Sequence, residues 1–115
     1  MLAFHQAWFY VATLSTGLVG VWGVGLSLAR RTAPPAYAWA TAGAIGAMLV
    51  QVATGLWMYG QGREPGGLHL FYGVVIVFTL AIAYVYRSQL ARRPALSYGL
   101  LLLFVMGLGL RAWVG

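Results

Sequence analysis

Two histidines carry the chemistry this chain can be expected to do. His69 lies in Gly66-Gly67-Leu68-His69-Leu70-Phe71-Tyr72-Gly73, where a glycine-rich turn runs into an apolar helix, and His5 enters the first apolar helix in the same way. No other histidine is present, and no cysteine. A neutral imidazole offers one lone pair to a metal, and an ionisable side chain within an apolar helix is costly unless something satisfies it. Two such helices pointing the same way through a membrane would bring both imidazoles to similar depth on one side. That is the geometry of a two-histidine clamp, and the ligand it suits is a heme iron held axially by imidazoles from facing helices. Either histidine alone could simply bond water or headgroups; matched depth favours a shared ligand. Without cysteine there are no thiolate metal sites, disulfides, lipoprotein anchor or covalent c-type attachment, so the expected cofactor is a non-covalently held heme b.

The elements that must position these imidazoles follow from composition. A chain of 115 residues that is 62% hydrophobic and 7% charged does not make an ordinary soluble domain. Apolar segments at about 2–29, 36–59, 68–87 and 95–113 each approach the roughly 20 residues that a helix needs to cross about 30 Å of hydrocarbon. Their length favours helices over barrel strands. The expected fold is all-α: a single domain over 1–115, built as an up-down-up-down bundle of four transmembrane helices.

Punctuation separates the segments. Arg30-Arg31-Thr32-Ala33-Pro34-Pro35 closes the first and gives the second its N-terminal proline, Gly60 to Gly67 makes the second turn, and Arg92-Arg93-Pro94 makes the third. Arg87 to Arg93 is expected to extend the third helix beyond the headgroups. Arg30, Arg31, Arg87, Arg92 and Arg93 fall on one side, while Arg63, Arg111 and the only acidic residue, Glu64, fall on the other. Short cytoplasmic loops carry the positive excess, so both termini and both histidines are expected on the outer side. The net charge of +6 flanks apolar spans and therefore reads as topology signal, with no nucleic-acid partner implied. The N-terminus lacks the basic leader and small-residue cleavage pattern of a signal peptide, so the first helix is expected to stay.

A weak internal repeat supports the pairing. His5-Gln6-Ala7-Trp8-Phe9-Tyr10 and His69-Leu70-Phe71-Tyr72 each put a histidine upstream of Phe-Tyr. Each helix then runs to basic residues, about 37 Å on from His5 to Arg30 and about 34 Å from His69 to Arg92 at the helical rise. Helical steps from His5 reach Ala12, Thr16 and Gly20, and Gly73 lies one turn from His69, so small side chains could admit a flat ring there. Gly17, Gly20, Gly23 and Gly25 could equally serve helix packing alone. Arg63 and Arg111 lie on the outer side and could bind heme propionates through their guanidinium forks, or stand as ordinary interfacial charges. Gln51 is the remaining polar group within a span, suited to a bond across the bundle or to a ligand. The Trp and Tyr residues are expected to line the interfaces or fill the bundle.

Gln51-Val52-Ala53-Thr54-Gly55-Leu56, followed by a short outer loop and Leu68-His69-Leu70-Phe71-Tyr72-Gly73, resembles the last helical hairpin of one four-helix half of heme A synthase. The His5 helix resembles the helix bearing the other axial histidine of that half. In that family the paired histidines of each half serve a heme, so the resemblance implies His5 and His69 as axial ligands of a b-type heme. It covers the first three helices, and the fourth only generically. The family's catalytic half carries an acidic residue about one turn before its first histidine, where this chain has Met1, Leu2, Ala3 and Phe4; the chain also has half the family's usual length and lacks the outer-loop cysteines of some members. The resemblance thus implies heme holding more than oxidation of a heme methyl group.

The expected function is that of a small integral-membrane b-type cytochrome with one bis-histidine heme near the outer face, passing single electrons or holding heme within a redox complex. Its expected surroundings are the lipid bilayer of a prokaryotic cytoplasmic membrane, with quinone or larger redox subunits as partners and a homodimer by analogy with a duplicated fold. The rival is a cofactor-free accessory subunit of a respiratory or photosynthetic complex. A third reading gives the histidines to chlorophyll magnesium or to copper. Transport is least favoured, because no intramembrane carboxylate or basic pair is available to couple an ion.

Overall fold

A computed structural model describes residues 2–62 and 69–114 of the chain. Every regular element among them is a helix: α1 (Leu2–Leu28), α2 (Pro35–Gly60), α3 (His69–Val85), the short α4 (Arg87–Leu90) and α5 (Pro94–Val114). The expected helix ends agree with these to within two residues. The start of the third segment at Leu68, and the residues Arg63 and Glu64, lie outside the described residues.

The ends have local causes. Arg30 takes the left-handed conformation (φ 56°), which lets its N–H donate to the Ser27 carbonyl at 3.1 Å and the Arg31 N–H to the Leu26 carbonyl at 2.9 Å. These two bonds satisfy α1's last carbonyls as a glycine-type cap would, although no glycine is there. Pro34 is extended (φ −71°, ψ 161°) and hands over to Pro35, whose missing N–H costs nothing in the first turn of α2. Gly62, at φ 88°, turns the chain away after α2.

The third segment is where expectation and structure part. Regular helix stops at Val85, leaving 17 residues, or about 25 Å. Tyr86 (φ −97°, ψ 20°) interrupts it, but Tyr86 still donates to the Ile82 carbonyl and Leu90 to the Tyr86 carbonyl, so the rod continues through α4 and carries Arg87 onward. Three helices, α1, α2 and α5, are long and apolar enough to cross a membrane, and α3 is a shorter apolar helix.

Side-chain pairs give the neighbours. Phe9 stacks on Trp113 at 4.4 Å, and a side chain at Gly20 would meet Gly99 and Leu103, so α1 and α5 run antiparallel. His5 with Thr54, and Trp22 with Tyr37, make α1 and α2 antiparallel; the start of α3 meets the end of α5 where His69 contacts the Ala112 carbonyl. At Gly99 a Cβ would lie 2.8 Å from the Val24 amide nitrogen and 3.0 Å from the Gly20 carbonyl oxygen, so α1 and α5 cross with their backbones nearly touching. Gly17, Gly20 and Gly23 share this packing role, whereas Gly25 faces open space.

Burial is distributed inside out. Leu18 is 70% exposed and Leu28 and Trp39 81%, while Thr16 is fully enclosed and His5, Thr13 and Thr41 are buried. Large apolar side chains outside and polar ones inside suit a hydrocarbon surrounding. Between the helices sits a small core of Ala12, Met48, Ile76, Leu80 and Val105. Above it, toward the His5 end, the packing stops.

Candidate functional site

The space left there is a cavity of about 980 Å³ lined by α1, α2, α3 and α5. That lies at the upper end of the roughly 300–1,000 Å³ that holds small molecules and cofactors. It exists because α2 and α3 scarcely touch, whereas α1 packs closely on both α2 and α5. Its floor is the small core, and His5 and His69 both line it, with ring centroids 6.0 Å apart and planes at 77°.

Each imidazole is fixed by its Nδ1. The Thr54 hydroxyl lies 2.9 Å from the Gln51 carbonyl, to which it can donate, and 2.7 Å from His5 Nδ1; with its hydrogen on the carbonyl it accepts from the His5 Nδ1–H. His69 Nδ1 lies 2.9 Å from the Ala112 carbonyl, which has no hydrogen to give, so here too Nδ1–H donates. Neutral histidine with its proton on Nδ1 has a bare lone pair on Nε2. Among the described residues neither Nε2 has a hydrogen-bond partner. Two orienting bonds of this kind, one per imidazole, are what metal-ligating histidines ordinarily show.

The spacing fits a shared metal. Two metal–imidazole bonds of about 2 Å, plus the distance of about 1.1 Å from each ring nitrogen to its ring centre, place the centroids about 6 Å apart. No group of three or more His, Cys, Asp or Glu occurs among the described residues, and the imidazole donors lining the cavity are these two. That number fits a heme, whose porphyrin brings four nitrogens of its own and leaves two axial places. It does not fit a structural zinc site, which takes four protein ligands.

Glycine makes the room. Gly73 lines the cavity, and a Cβ built there would meet nothing within 4 Å; Gly55 also lines it, and a Cβ there would stand 3.2 Å from His5 Cε1. Ala12 is in the lining as expected from the His5 face, but Thr16 and Gly20 are not. Thr16 is buried and donates to the Ala12 and Thr13 carbonyls, and Gly20 is taken up by the crossing with α5. Rotation accounts for Gly20, turned about 60° from His5 at 100° per residue; Thr16 is turned only about 20° and is left out by depth, about 16 Å along the helix and beyond Ala12 in the cavity's floor.

Polar atoms deeper in the cavity are left open. Among the described residues Gln51 Oε1 and Thr13 Oγ1 are buried without a partner, and both residues line the space. Gln51 thus makes no bond across the bundle through Oε1, and the cavity presents it to whatever fills the site. Arg111 is at the correct end, next to Ala112, but its guanidinium lies 5.9 Å from the centre of the Tyr72 ring and outside the cavity lining. Arg63 falls outside the described residues.

Sequence reasoning missed Thr54, the Ala112 carbonyl, Gly55 and Thr13. Thr54 and Gly55 stand within the Gln51–Leu56 stretch that carries the resemblance, yet their facing His5 depends on the register of α1 against α2. No family model, curated protein or solved structure matches the chain.

Proposed function

We propose that the chain is a membrane cytochrome of b type, with His5 and His69 as the axial ligands of one heme b. The observation that carries this reading is the pair of imidazoles lining one cavity, each held by a hydrogen bond at Nδ1 and each with Nε2 bare among the described residues, at the centroid spacing of a shared metal. When bound, the heme supplies a one-electron couple between ferric and ferrous iron. The protein's part is to hold two neutral imidazoles in a fixed tautomer, to wall the site with Phe9, Val77 and Trp113, and to keep bulk water from it. The resemblance to a heme A synthase half agrees with this assignment. Met1 to Phe4 hold no acidic residue before His5, which favours electron transfer or heme holding over oxidation of the ring.

The detergent-purified protein, expressed with ample heme, is expected to show a Soret band and, on reduction, the sharp visible bands of six-coordinate low-spin heme. A colourless protein would leave the cofactor-free accessory subunit as the reading. Thr54→Val removes the acceptor for His5 while keeping its volume. It should weaken heme retention by about 10- to 100-fold, measured as heme loss to an excess of an apo-globin.

The reading places all four long helices across the bilayer, up-down-up-down, with both termini and the heme on the outer side. Since the chain has no native cysteine, single cysteines report topology cleanly. Gln61→Cys is expected to react with an impermeant maleimide on intact cells and Thr32→Cys only after lysis; the reverse pattern inverts the orientation.

A further inference from the structure

At the end of the molecule away from the histidines, Arg30 and Arg31 from the α1–α2 turn and Arg93 from the α4–α5 turn line one recess of about 550 Å³, together with Ser27 and Thr32. A positive-inside bias asks only for basic residues in these turns; it does not ask that they converge. Convergence is selective here. Arg87 is occupied within the chain, donating to the Tyr84 carbonyl at 2.8 Å and lying 4.3 Å over its ring, and Arg92 is outside the recess. Among the described residues no acceptor engages the side chains of Arg30, Arg31 or Arg93.

Three exposed arginines lining one recess concentrate positive charge there and favour an anion among them. No carboxylate side chain occurs among the described residues; the one acidic residue, Glu64, lies outside them. Arg30 adds a separate sign. It holds the left-handed conformation that glycine would adopt without strain, yet it is a cationic residue lining the recess. The recess also has an apolar wall of Pro94, Ala95 and Leu96, and beside Ser27 the Leu28 side chain is 81% exposed. Polar and apolar surface therefore meet here, as they do at the level of lipid headgroups.

We propose that this recess binds the phosphate of an anionic phospholipid headgroup. Guanidinium forks match phosphate oxygens in pairs, the Ser27 and Thr32 hydroxyls add donors, and the apolar wall leads the acyl chains toward the hydrocarbon. The apolar wall favours a lipid over free phosphate, which has no use for it. The site lies about 37 Å along the helix axis from His5 and stands independently of the heme reading.

Native mass spectrometry of the detergent-solubilised full chain tests it, with dioleoyl phosphatidylglycerol, dioleoyl phosphatidylcholine and inorganic phosphate as probes. The expected result is retention of one phosphatidylglycerol in preference to phosphatidylcholine. Arg30→Gln, Arg31→Gln and Arg93→Gln should each weaken that retention by about fivefold, and Arg92→Gln should not. Arg93→Lys keeps the charge and should restore much of it; this pair, on a turn remote from α1's strained cap, serves if an Arg30 variant does not fold. Equal retention of the two lipids would overturn the proposal, as would an Arg92→Gln effect as large as that of Arg93→Gln, which would make net charge the cause. Displacement of the lipid by millimolar inorganic phosphate would instead assign the recess to free anions.

Discussion

Alanine at either His5 or His69 is expected to abolish the six-coordinate low-spin spectrum, leaving five-coordinate high-spin heme or none, and the double replacement is expected to add little. The two rings line one cavity at 6.0 Å, so each is half of the same site. Once one axial bond is gone the site has failed, and residues that act as a unit are non-additive for that reason. The measurement is the absorption spectrum and heme content of the two single variants and the double variant, prepared identically. Two unrelated heme sites would respond additively. A spectrum untouched by His5→Ala but lost in His69→Ala would falsify the paired ligation and send the search for a second ligand to another copy of the chain.

What the sequence made legible has a physical pattern. Four apolar segments and their Pro, Gly and Arg punctuation are local signals: α2 begins at Pro35 and ends just before Gly62, and α5 begins at Pro94. The interruption at Tyr86 is different, since no proline or glycine marks it and nothing nearby predicts that regular helix ends at Val85. The histidine pair was legible because the chain has two histidines and equal distances from each to a basic turn. Their partners were not. That Thr54 accepts from His5, and that Ala112 offers its carbonyl to His69, follow from how α1 meets α2 and how α3 meets α5, registers that a few degrees of helix rotation would change. Rotation misled the reading of Gly20 as ring-facing, and depth that of Thr16. The small size of Gly20 is used by α5, which crosses α1 at Gly20 and Gly99 with the backbones nearly touching.

Gly73→Phe is expected to empty the cavity of heme without unfolding the chain. Gly73 lies one turn beyond His69 on α3 and lines the cavity, and a Cβ there meets no protein atom within 4 Å. The ring's first atom therefore enters open space beside the cavity, and α3 gains about a few tenths of a kcal/mol in helix propensity over glycine. A phenyl group inside the cavity does overlap whatever occupies it, and overpacking of about 1–3 kcal/mol lowers occupancy on the order of tenfold or more. Heme content per protein is the readout, with helix content by circular dichroism as the control. Gly43→Phe is the matched comparison, because Gly43 also has open space around it but lies outside the cavity. Gly55→Ala should fall between them: its new methyl stands 3.2 Å from His5 Cε1, so the imidazole must shift by a few tenths of an ångström, altering the heme's midpoint potential more than its retention. If Gly73→Phe kept its heme and its spectrum while Gly43→Phe lost them, the cofactor would sit on the outer face of α2, and the cavity between the histidines would be only a gap in the packing.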